Sequence, residues 1–252
     1  DFPEIEINEE QVPISMQSHV LKRLLTKTSF SMASQDVRYY LNGMLLEVED
    51  AKINGVATDG HRLAFSSATT TESGLSARNI LPRKAVLELS KLLSATEETV
   101  ELMIGASYID VKSKNLRFSS KLIDGKYPDY DKVFPTGEPL PLQISKDLLQ
   151  SALSRASVLS NEKYRGVRFQ LTNNKLKLTA NNPEQESAEE ELEVLYGGAE
   201  LEVGFNIGYL LDVLNSIESE TVNFEFYGED SSCIIKEIDS DNDVYVIMPM
   251  RL

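Results

Sequence analysis

Four segments of the chain repeat apolar residues at intervals of three and four, which is the spacing of one face of an α-helix. Pro82 is favoured in a first helical turn and Ser145 is a favoured N-cap, so each marks the start of a predicted helix. The predicted buried faces are Met16, Val20, Leu21, Leu24, Leu25 and Thr28; Val86, Leu89, Leu92 and Leu93; Leu148, Leu149, Ala152, Leu153 and Ala156; and Ile207, Leu210, Leu211, Leu214 and Ile217. The basic residues between them are predicted on the opposite, open faces.

Short alternating or apolar runs between these helices predict β-strands. The predicted strands are 43–48, 55–57, 100–104, 108–112, 166–171, 175–179, 222–226, 232–236 and 244–248. The order helix, several strands, helix, several strands occurs twice, which indicates an α+β chain with an internal repeat of roughly 120 to 130 residues.

Matching residues support the repeat. Ile14-Ser15 precedes the first helix as Ile144-Ser145 precedes the third, Gly43 corresponds to Gly166, and Pro82 corresponds to Asn206. The stretch 131–143 contains three prolines and a glycine and is the predicted seam between the two copies.

The length of 252 residues leaves room for two domains, each with a core of its own. No apolar run approaches the roughly 20 residues that span a bilayer, and no signal peptide is visible, so we expect a soluble cytoplasmic protein. Cys233 has no second cysteine to pair with, and His19 and His61 add too few ligands for structural zinc. We therefore expect no metal and no cofactor.

The formal net charge of −15 argues against nucleic-acid binding, because proteins that bind phosphates normally carry a basic surface. The charges are nevertheless unevenly distributed: no acidic residue lies between Glu10 and Asp36, and 181–202 contains no Lys or Arg. The locally basic residues are Lys22, Arg23, Lys27, Arg83, Lys84 and Lys91. Separated charges allow one face to attract DNA, although ordinary solvated helix faces explain the same pattern.

The segment VATDGHRLA at 56–64 is the most distinctive motif. Asp59 and His61 could form an acid–base pair, with Asp124 as a further carboxylate, and this is the basis of an alternative interpretation as an acidic hydrolase. No nucleophile and no Walker-type phosphate loop accompany the pair, and Asp-Gly is a common turn signal. A structural turn is the simpler interpretation.

Four further segments, together with this motif, resemble the bacterial DNA polymerase III beta subunit, or beta sliding clamp. They are FSMASQDVRYYLNG at 30–43, SKLIDGKYPDY at 120–130, LSNEK at 159–163 and MPMRL at 248–252. The resemblance implies a non-enzymatic processivity factor with the α+β DNA-clamp fold, made of similar domains that each have two helices packed on antiparallel sheets. It places domain two at 13–130 and domain three at 131–252, after a residual linker at 1–12, and we expect domain one to be absent.

In the family, helices line a hole that duplex DNA passes through, and contacts with DNA are sequence-blind. The resemblance implies the DNA-facing positions Arg23, Lys27, Lys84, Lys91 and Arg155 on the helices, and Gln35, Tyr39 and Tyr40 in a loop near the hole. Partial core packing is the alternative for the two tyrosines.

The resemblance also implies a pocket between domains two and three for short peptides of polymerases, clamp loader and repair proteins. Its matching positions are Leu41, Thr58, Gly60, His61, Arg62, Leu63, Pro128, Val133, Tyr209, Val246, Met248, Pro249, Met250, Arg251 and Leu252, with Arg38, Asn206 and Ser232 at the edge. Lys132 stands where the family commonly has arginine. In an unrelated protein, a terminal MPMRL would more often be a frayed end or a last core strand.

The full-length family protein is a head-to-tail homodimer that forms a ring. The matching contact surface is Val158, Leu159, Glu184, Glu186 and Glu190. We expect this 252-residue chain to be a monomer, or a weak dimer through an exposed strand edge, that does not encircle DNA.

Overall fold

The computed structural model describes residues 11–161, 163–238 and 240–251. The chain forms two compact units, Asp1–Pro128 and Asp129–Leu252, which are described separately. Among the described residues, no helix combines the length and apolar character needed to cross a membrane.

The first unit has two helices and eight strands in its described part. Its elements are β1 Val12–Gln17, α1 Ser18–Ser29, a 3₁₀ turn Tyr39–Leu41, β2 Gly43–Glu49, β3 Lys52–Thr58, β4 Arg62–Thr69, β5 Ser76–Pro82, α2 Arg83–Leu92, β6 Thr99–Ile104, β7 Tyr108–Lys112 and β8 Arg117–Lys121. The strands pair antiparallel in the orders β1-β6-β7-β8 and β4-β3-β2-β5.

The second unit repeats this arrangement. Its elements are a 3₁₀ turn Tyr130–Val133, β9 Leu140–Ser145, α3 Lys146–Val158, β10 Gly166–Thr172, β11 Lys175–Asn181, β12 Ser187–Glu193, β13 Leu195–Tyr196, β14 Leu201–Asn206, α4 Ile207–Ser216, β15 Thr221–Phe226, β16 Cys233–Glu237 and β17 Asp243–Ile247. The antiparallel orders are β12-β11-β10-β14 and β13-β9-β15-β16-β17.

The predicted internal repeat is present element by element. Ile14-Ser15 lies in β1, which leads into α1, and Ile144-Ser145 lies in β9, which leads into α3. Pro82 and Asn206 are the N-cap residues of α2 and α4, and each ends the strand that pairs with β2 or β10. The short strand β13 has no counterpart among the described strands of the first unit.

The core of the first unit is built where α1 lies on β3 and β4. Leu21, Leu24 and Leu25 are completely buried there, as the helical spacing predicts. Gly55 in β3 lets the strand approach the helix, because a Cβ at this position would overlap the Leu24 side chain.

Several predicted helix positions are corrected by the structure. Met16 lies in β1, ahead of the helix. Leu92, the last residue of α2, is 54% exposed, and Leu148 in the first turn of α3 is 56% exposed, because both stand at the margin of the buried stripe. Leu211 is only half-buried, and Val213 is buried in α4 as well.

Eight strands were not predicted, and β12 shows why. Its sequence, SAEEELE, has little apolar character, yet it forms the edge of a sheet. Lys175 pairs with Glu191 at 2.6 Å and Lys177 pairs with Glu189 at 2.9 Å across the ladder to β11. Cross-strand ion pairs thus support a strand that hydrophobic alternation alone does not identify. The other missed strands are β1, β4, β5, β8, β9, β13 and β14.

The close approach at Gly55 gives a stability prediction. Gly55→Ala is expected to lower the stability of the first unit by roughly 1–3 kcal/mol, because the added methyl group overpacks the helix–strand contact. Gly197→Ala is the matched control, since a Cβ at Gly197 meets nothing within 4 Å. Differential scanning calorimetry of both variants measures the effect, and equal melting curves would contradict it.

Candidate functional site

The turn from Thr58 to Arg62, called here the 58–62 turn, connects β3 to β4. Gly60 at its tip has a φ of +89°, a left-handed conformation that favours glycine. A Cβ at this position would lie 2.9 Å from Nη1 of Arg38. The backbone conformation therefore favours glycine here, and a larger residue would also displace the end of the Arg38 side chain.

The side chains of Thr58 and Asp59 hold this turn from inside. The Thr58 hydroxyl donates to the Arg62 carbonyl at 2.6 Å and accepts from the Gly60 N–H at 3.1 Å. Oδ1 of Asp59 accepts from the N–H groups of His61 at 2.9 Å and Arg62 at 3.1 Å. These short polar side chains satisfy the backbone of the turn locally.

The guanidinium of Arg62 is enclosed. Its Nε donates to Oδ2 of Asp59 at 3.0 Å, and its Nη2 donates to the Phe30 carbonyl at 2.7 Å. The same group lies 5.6 Å from the centroid of the Phe30 ring, a cation–π distance. Only 11% of the Arg62 side chain is exposed. Arg62 therefore joins the turn to Phe30, the first residue after α1.

Arg38 is held in a different way. Its Nε and Nη2 donate to the two carboxylate oxygens of Asp36 at 3.0 and 2.8 Å, and Nη2 also reaches the Asp59 carbonyl at 3.2 Å. These charge-assisted hydrogen bonds, with one from the Arg38 N–H, lower the pKa of Asp36 to about 2. The side chain of Arg38 remains 45% exposed, so this arginine presents its charge to solvent.

Further residues support the turn from the protein side. The N–H of Thr58 donates to the hydroxyl of the buried Tyr127 at 3.1 Å, and burial raises the pKa of that phenol. The Asn42 side chain binds both the N–H and the carbonyl of Asp36. Leu41 and Leu63 are buried, whereas His61 and Pro128 are exposed.

In the second unit, the C-terminal segment runs beside β14. The Met250 N–H donates to the Gly204 carbonyl at 2.7 Å. Met248, Pro249 and Met250 are half-buried and Arg251 is exposed. A cleft of about 340 Å³ is lined by Asn161, Tyr164, Gly166, Arg168, Thr179, Asn181, Met250 and Arg251.

The remaining predicted peptide positions of this unit differ in exposure. Asn206 caps α4 by accepting from the Tyr209 N–H at 3.2 Å. Val133, Tyr209 and Ser232 are half-buried, and Val246 is completely buried. Leu252 lies outside the described residues.

The predicted DNA-facing positions do not all lie on open surfaces. Lys27 is only 5% exposed, so its prediction as part of an open basic face is wrong. The long apolar stem of lysine allows such burial when the ammonium has a partner, and Lys27 takes part in an interaction within the chain. Arg23 is half-buried and donates to the Ser67 carbonyl at 2.8 Å.

The other three predicted DNA-facing cations on helices are exposed. Lys84 and Lys91 project from α2, where Lys91 pairs with Glu88 at 3.0 Å. Arg155 of α3 binds Glu190 of β12 through two hydrogen bonds of 2.7 Å each, and this carboxylate raises the arginine pKa. Arg155 is therefore paired inside the unit, although 58% of its side chain is exposed.

The loop ahead of β2 carries the other predicted DNA contacts. Gln35 is exposed with a φ of +58°, Tyr39 is exposed, and Tyr40 is half-buried. The two tyrosine rings meet edge to face with centroids 5.7 Å apart. The exposure of Tyr39 favours a role in surface contact. The Tyr40 side chain is partly packed against the protein and partly open to solvent.

The predicted dimer surface lies on α3 and around β12. Val158 is 78% exposed, Leu159 is half-buried, and Glu184 and Glu186 are exposed. Glu190 is half-buried and is bound to Arg155.

The residues that organise the 58–62 turn were not predicted as site residues. Phe30, Asp36, Asn42 and Tyr127 all contribute contacts to it or to Arg38. All four lie within the segments 30–43 and 120–130 that carry the family resemblance. Phe30 and Tyr127 contact residues far away in sequence, and no local pattern reveals such pairs. The contacts of Asp36 and Asn42 are local and were nevertheless not predicted.

Two equivalent units, each with two helices on antiparallel sheets, define the chain as a DNA clamp of the α+β class. Residues 15–129 match the family model of the DNA polymerase III beta subunit central domain, and residues 131–251 match that of its C-terminal domain. The chain belongs to the family of bacterial beta sliding clamps, which are DNA polymerase processivity factors.

Individual relatives agree with this assignment. The beta sliding clamps of Pseudomonas aeruginosa and Escherichia coli K12 are each 47% identical to the chain, and the match covers 100% of the chain and 69% of each relative. A crystal structure of the P. aeruginosa DNA polymerase sliding clamp with a ligand superposes with a TM-score of 0.97 at 48% identity, over 100% of this chain and 69% of that one. Another P. aeruginosa clamp structure contains griselimycin.

The hydrolase alternative is not supported by these relatives. The geometry gives the physical reason. The Asp59 carboxylate accepts three hydrogen bonds from the turn and from Arg62, so it is occupied as a structural acceptor.

The Asp36–Arg38 pair gives a titration prediction. A lowered folded pKa means that the stabilisation is complete above the ordinary value of 3.8 and is lost as the pH falls through about 2. In a carboxyl-detected NMR titration, Arg38→Met should move the Asp36 midpoint up towards 3.8, whereas Lys91→Met should leave it unchanged. An Asp36 midpoint that is the same with and without Arg38 would contradict the pairing.

Proposed function

We propose that this chain binds short linear peptides of polymerases, clamp-loader subunits and repair proteins, as a non-enzymatic clamp that needs no metal or cofactor. The half-buried methionines of the C-terminal segment carry this proposal, because they offer apolar surface beside a charged residue. Methionine side chains adapt to different apolar partners. Membership of the clamp family supports the same function.

The proposed contacts come from both units. In the first unit, the proposed contacts are the 58–62 turn, Arg38 and Pro128. The buried side chains of Leu41 and Leu63 are included as packing residues. The second unit supplies Val133, Asn206, Tyr209, Ser232 and 248–251, with Val246 as buried support, and Leu252 is included from the family resemblance alone. Arginine side chains can bind a carboxylate through two parallel hydrogen bonds, which suits a peptide terminus or an acidic side chain.

The methionines provide the test of peptide binding. Met250→Ala should weaken binding of a fluorescein-labelled polymerase peptide by about tenfold or more, as expected for an apolar contact residue. Met103→Ala is the matched control, because this half-buried methionine lies in β6. Fluorescence polarisation measures the affinity, and added chelator should not change it.

Two results would oppose the peptide-binding proposal. One is equal peptide affinity of the Met250→Ala variant and the unmodified chain. The other is the absence of competition between the labelled peptide and griselimycin, which we propose binds this chain as it binds the P. aeruginosa clamp.

We further propose sequence-independent contact with duplex DNA through Arg23, Lys84, Lys91 and Arg155, with Gln35, Tyr39 and Tyr40 in the adjoining loop. Lys27 is not included, because it is buried. Such contacts release counterions and therefore weaken steeply with salt.

The Arg155–Glu190 pair makes the DNA contact testable. Glu190→Gln should free Arg155 and increase the slope of log Kobs against log salt by about one, the value for one added phosphate contact. Glu200→Gln makes the same charge change at an exposed position outside β12 and should have a smaller effect. Equal DNA affinities of the two variants, measured by fluorescence anisotropy, would contradict release of Arg155.

The surface of Val158, Leu159, Glu184, Glu186 and Glu190 is proposed as the contact with a second subunit in a ring. In the family, the matching surface contacts the first domain of the other subunit. The family models that match this chain are those of the central and C-terminal domains. The 252-residue chain should therefore sediment at micromolar concentration as a monomer, or as a weak dimer through an exposed strand edge, and a stable closed dimer would contradict this. As a DNA polymerase processivity factor, it is proposed to act in the cytoplasm.

A further inference from the structure

We propose that Asp59 is a positioning residue of the peptide site, and that it keeps Arg62 out of direct charge contact with the peptide. This inference rests on the proposed peptide binding. It assigns the recognition of a peptide carboxylate to Arg38 and gives Arg62 a supporting role.

The Asp59 carboxylate accepts hydrogen bonds from three groups of the protein. One carboxylate oxygen accepts two consecutive backbone N–H groups, and the other accepts Nε of Arg62. Only 17% of the Asp59 side chain is exposed, so these hydrogen bonds are partly shielded from water. Charge-assisted hydrogen bonds of this kind are stronger than neutral ones. The turn is therefore set by groups of the protein before a peptide is present.

Arg62 and Arg38 differ in the exposure of their side chains. The Arg62 side chain is 11% exposed. Its guanidinium is bound to the Asp59 carboxylate and to the Phe30 carbonyl, and it also lies over the Phe30 ring. The Arg38 side chain is 45% exposed although it is paired with Asp36. A peptide carboxylate can therefore reach Arg38 without breaking a shielded ion pair, whereas reaching Arg62 would require one to break.

The 58–62 turn connects the two arginines through Asp59. Nη2 of Arg38 donates to the Asp59 carbonyl, so the Asp59 residue binds one arginine through its side chain and the other through its backbone. Fixing the turn in advance also spares the peptide the entropy cost of ordering it. Loss of the Asp59 carboxylate should thus weaken peptide binding without removing any apolar contact.

Two variants of Asp59 separate its roles. Asp59→Ala removes both side-chain acceptors and keeps the backbone carbonyl, whereas Asp59→Asn keeps a side-chain oxygen for the two N–H groups and breaks the ion pair with Arg62. In Asp59→Ala, the amide protons of His61 and Arg62 should exchange faster with deuterium and the labelled polymerase peptide should bind roughly tenfold more weakly. Asp59→Asn should recover most of the exchange protection and most of the affinity. Glu97→Ala, an exposed carboxylate of the same unit, is the control for loss of charge.

The arginines are tested with one peptide made with either a free C-terminal carboxylate or a C-terminal amide. Arg38→Gln should abolish the preference for the carboxylate form. Arg62→Gln should weaken both forms by the same factor, and thermal unfolding of each variant shows whether the fold is retained. A structural defect alone lowers affinity but leaves the preference intact.

The outcomes distinguish the inference from the function beneath it. Unmodified chain that binds no peptide overturns the proposed function, and with it the assignment of the arginines. Peptide binding with unchanged amide exchange in Asp59→Ala overturns the positioning role alone. Loss of the carboxylate preference in Arg62→Gln, with the preference retained in Arg38→Gln, reverses the assignment of the two arginines.

Discussion

The rest of the structure depends on the burial of one apolar face of each helix against antiparallel sheets. In α1, burial of Leu21, Leu24 and Leu25 is so close that β3 needs a glycine beneath the helix. The same arrangement recurs in the second unit with Leu149 and Leu153 of α3. Since the inner faces are used for packing, the outer faces are left for polar and charged side chains.

Ion pairs within each unit then decide which charges are available to partners. Arg155 and Arg38 are paired with Glu190 and Asp36 but keep 58% and 45% of their side chains exposed, whereas Arg62, paired with Asp59, keeps only 11%. Net charge and sequence position reveal none of these differences. The net charge of −15 therefore does not by itself oppose the proposed contacts with DNA or an acidic peptide group, because local charges differ from the sum.

The sequence predicts the helices and the repeat well because both leave a periodic signal. It fails at β12, where acidic residues form an edge strand, and at Lys27, where a cation in a basic stretch is buried. At the candidate site, the motif locates the 58–62 turn, but Asp36 and Tyr127 were missed as supports. Tyr127 acts through a contact between distant parts of the chain, which spacing along one segment does not encode. The Asp36–Arg38 pair is local, but the residue types alone do not distinguish it from an ordinary solvated pair.

The central proposal is that the 58–62 turn and the C-terminal segment each contact a bound peptide. The most direct measurement is a backbone amide NMR titration of the assigned chain with a polymerase peptide. The account predicts the largest shift changes at Gly60, His61, Met250 and Arg251, with little change at Lys84. Saturable shifts confined to other surfaces, such as the cleft lined by Leu148, would contradict it.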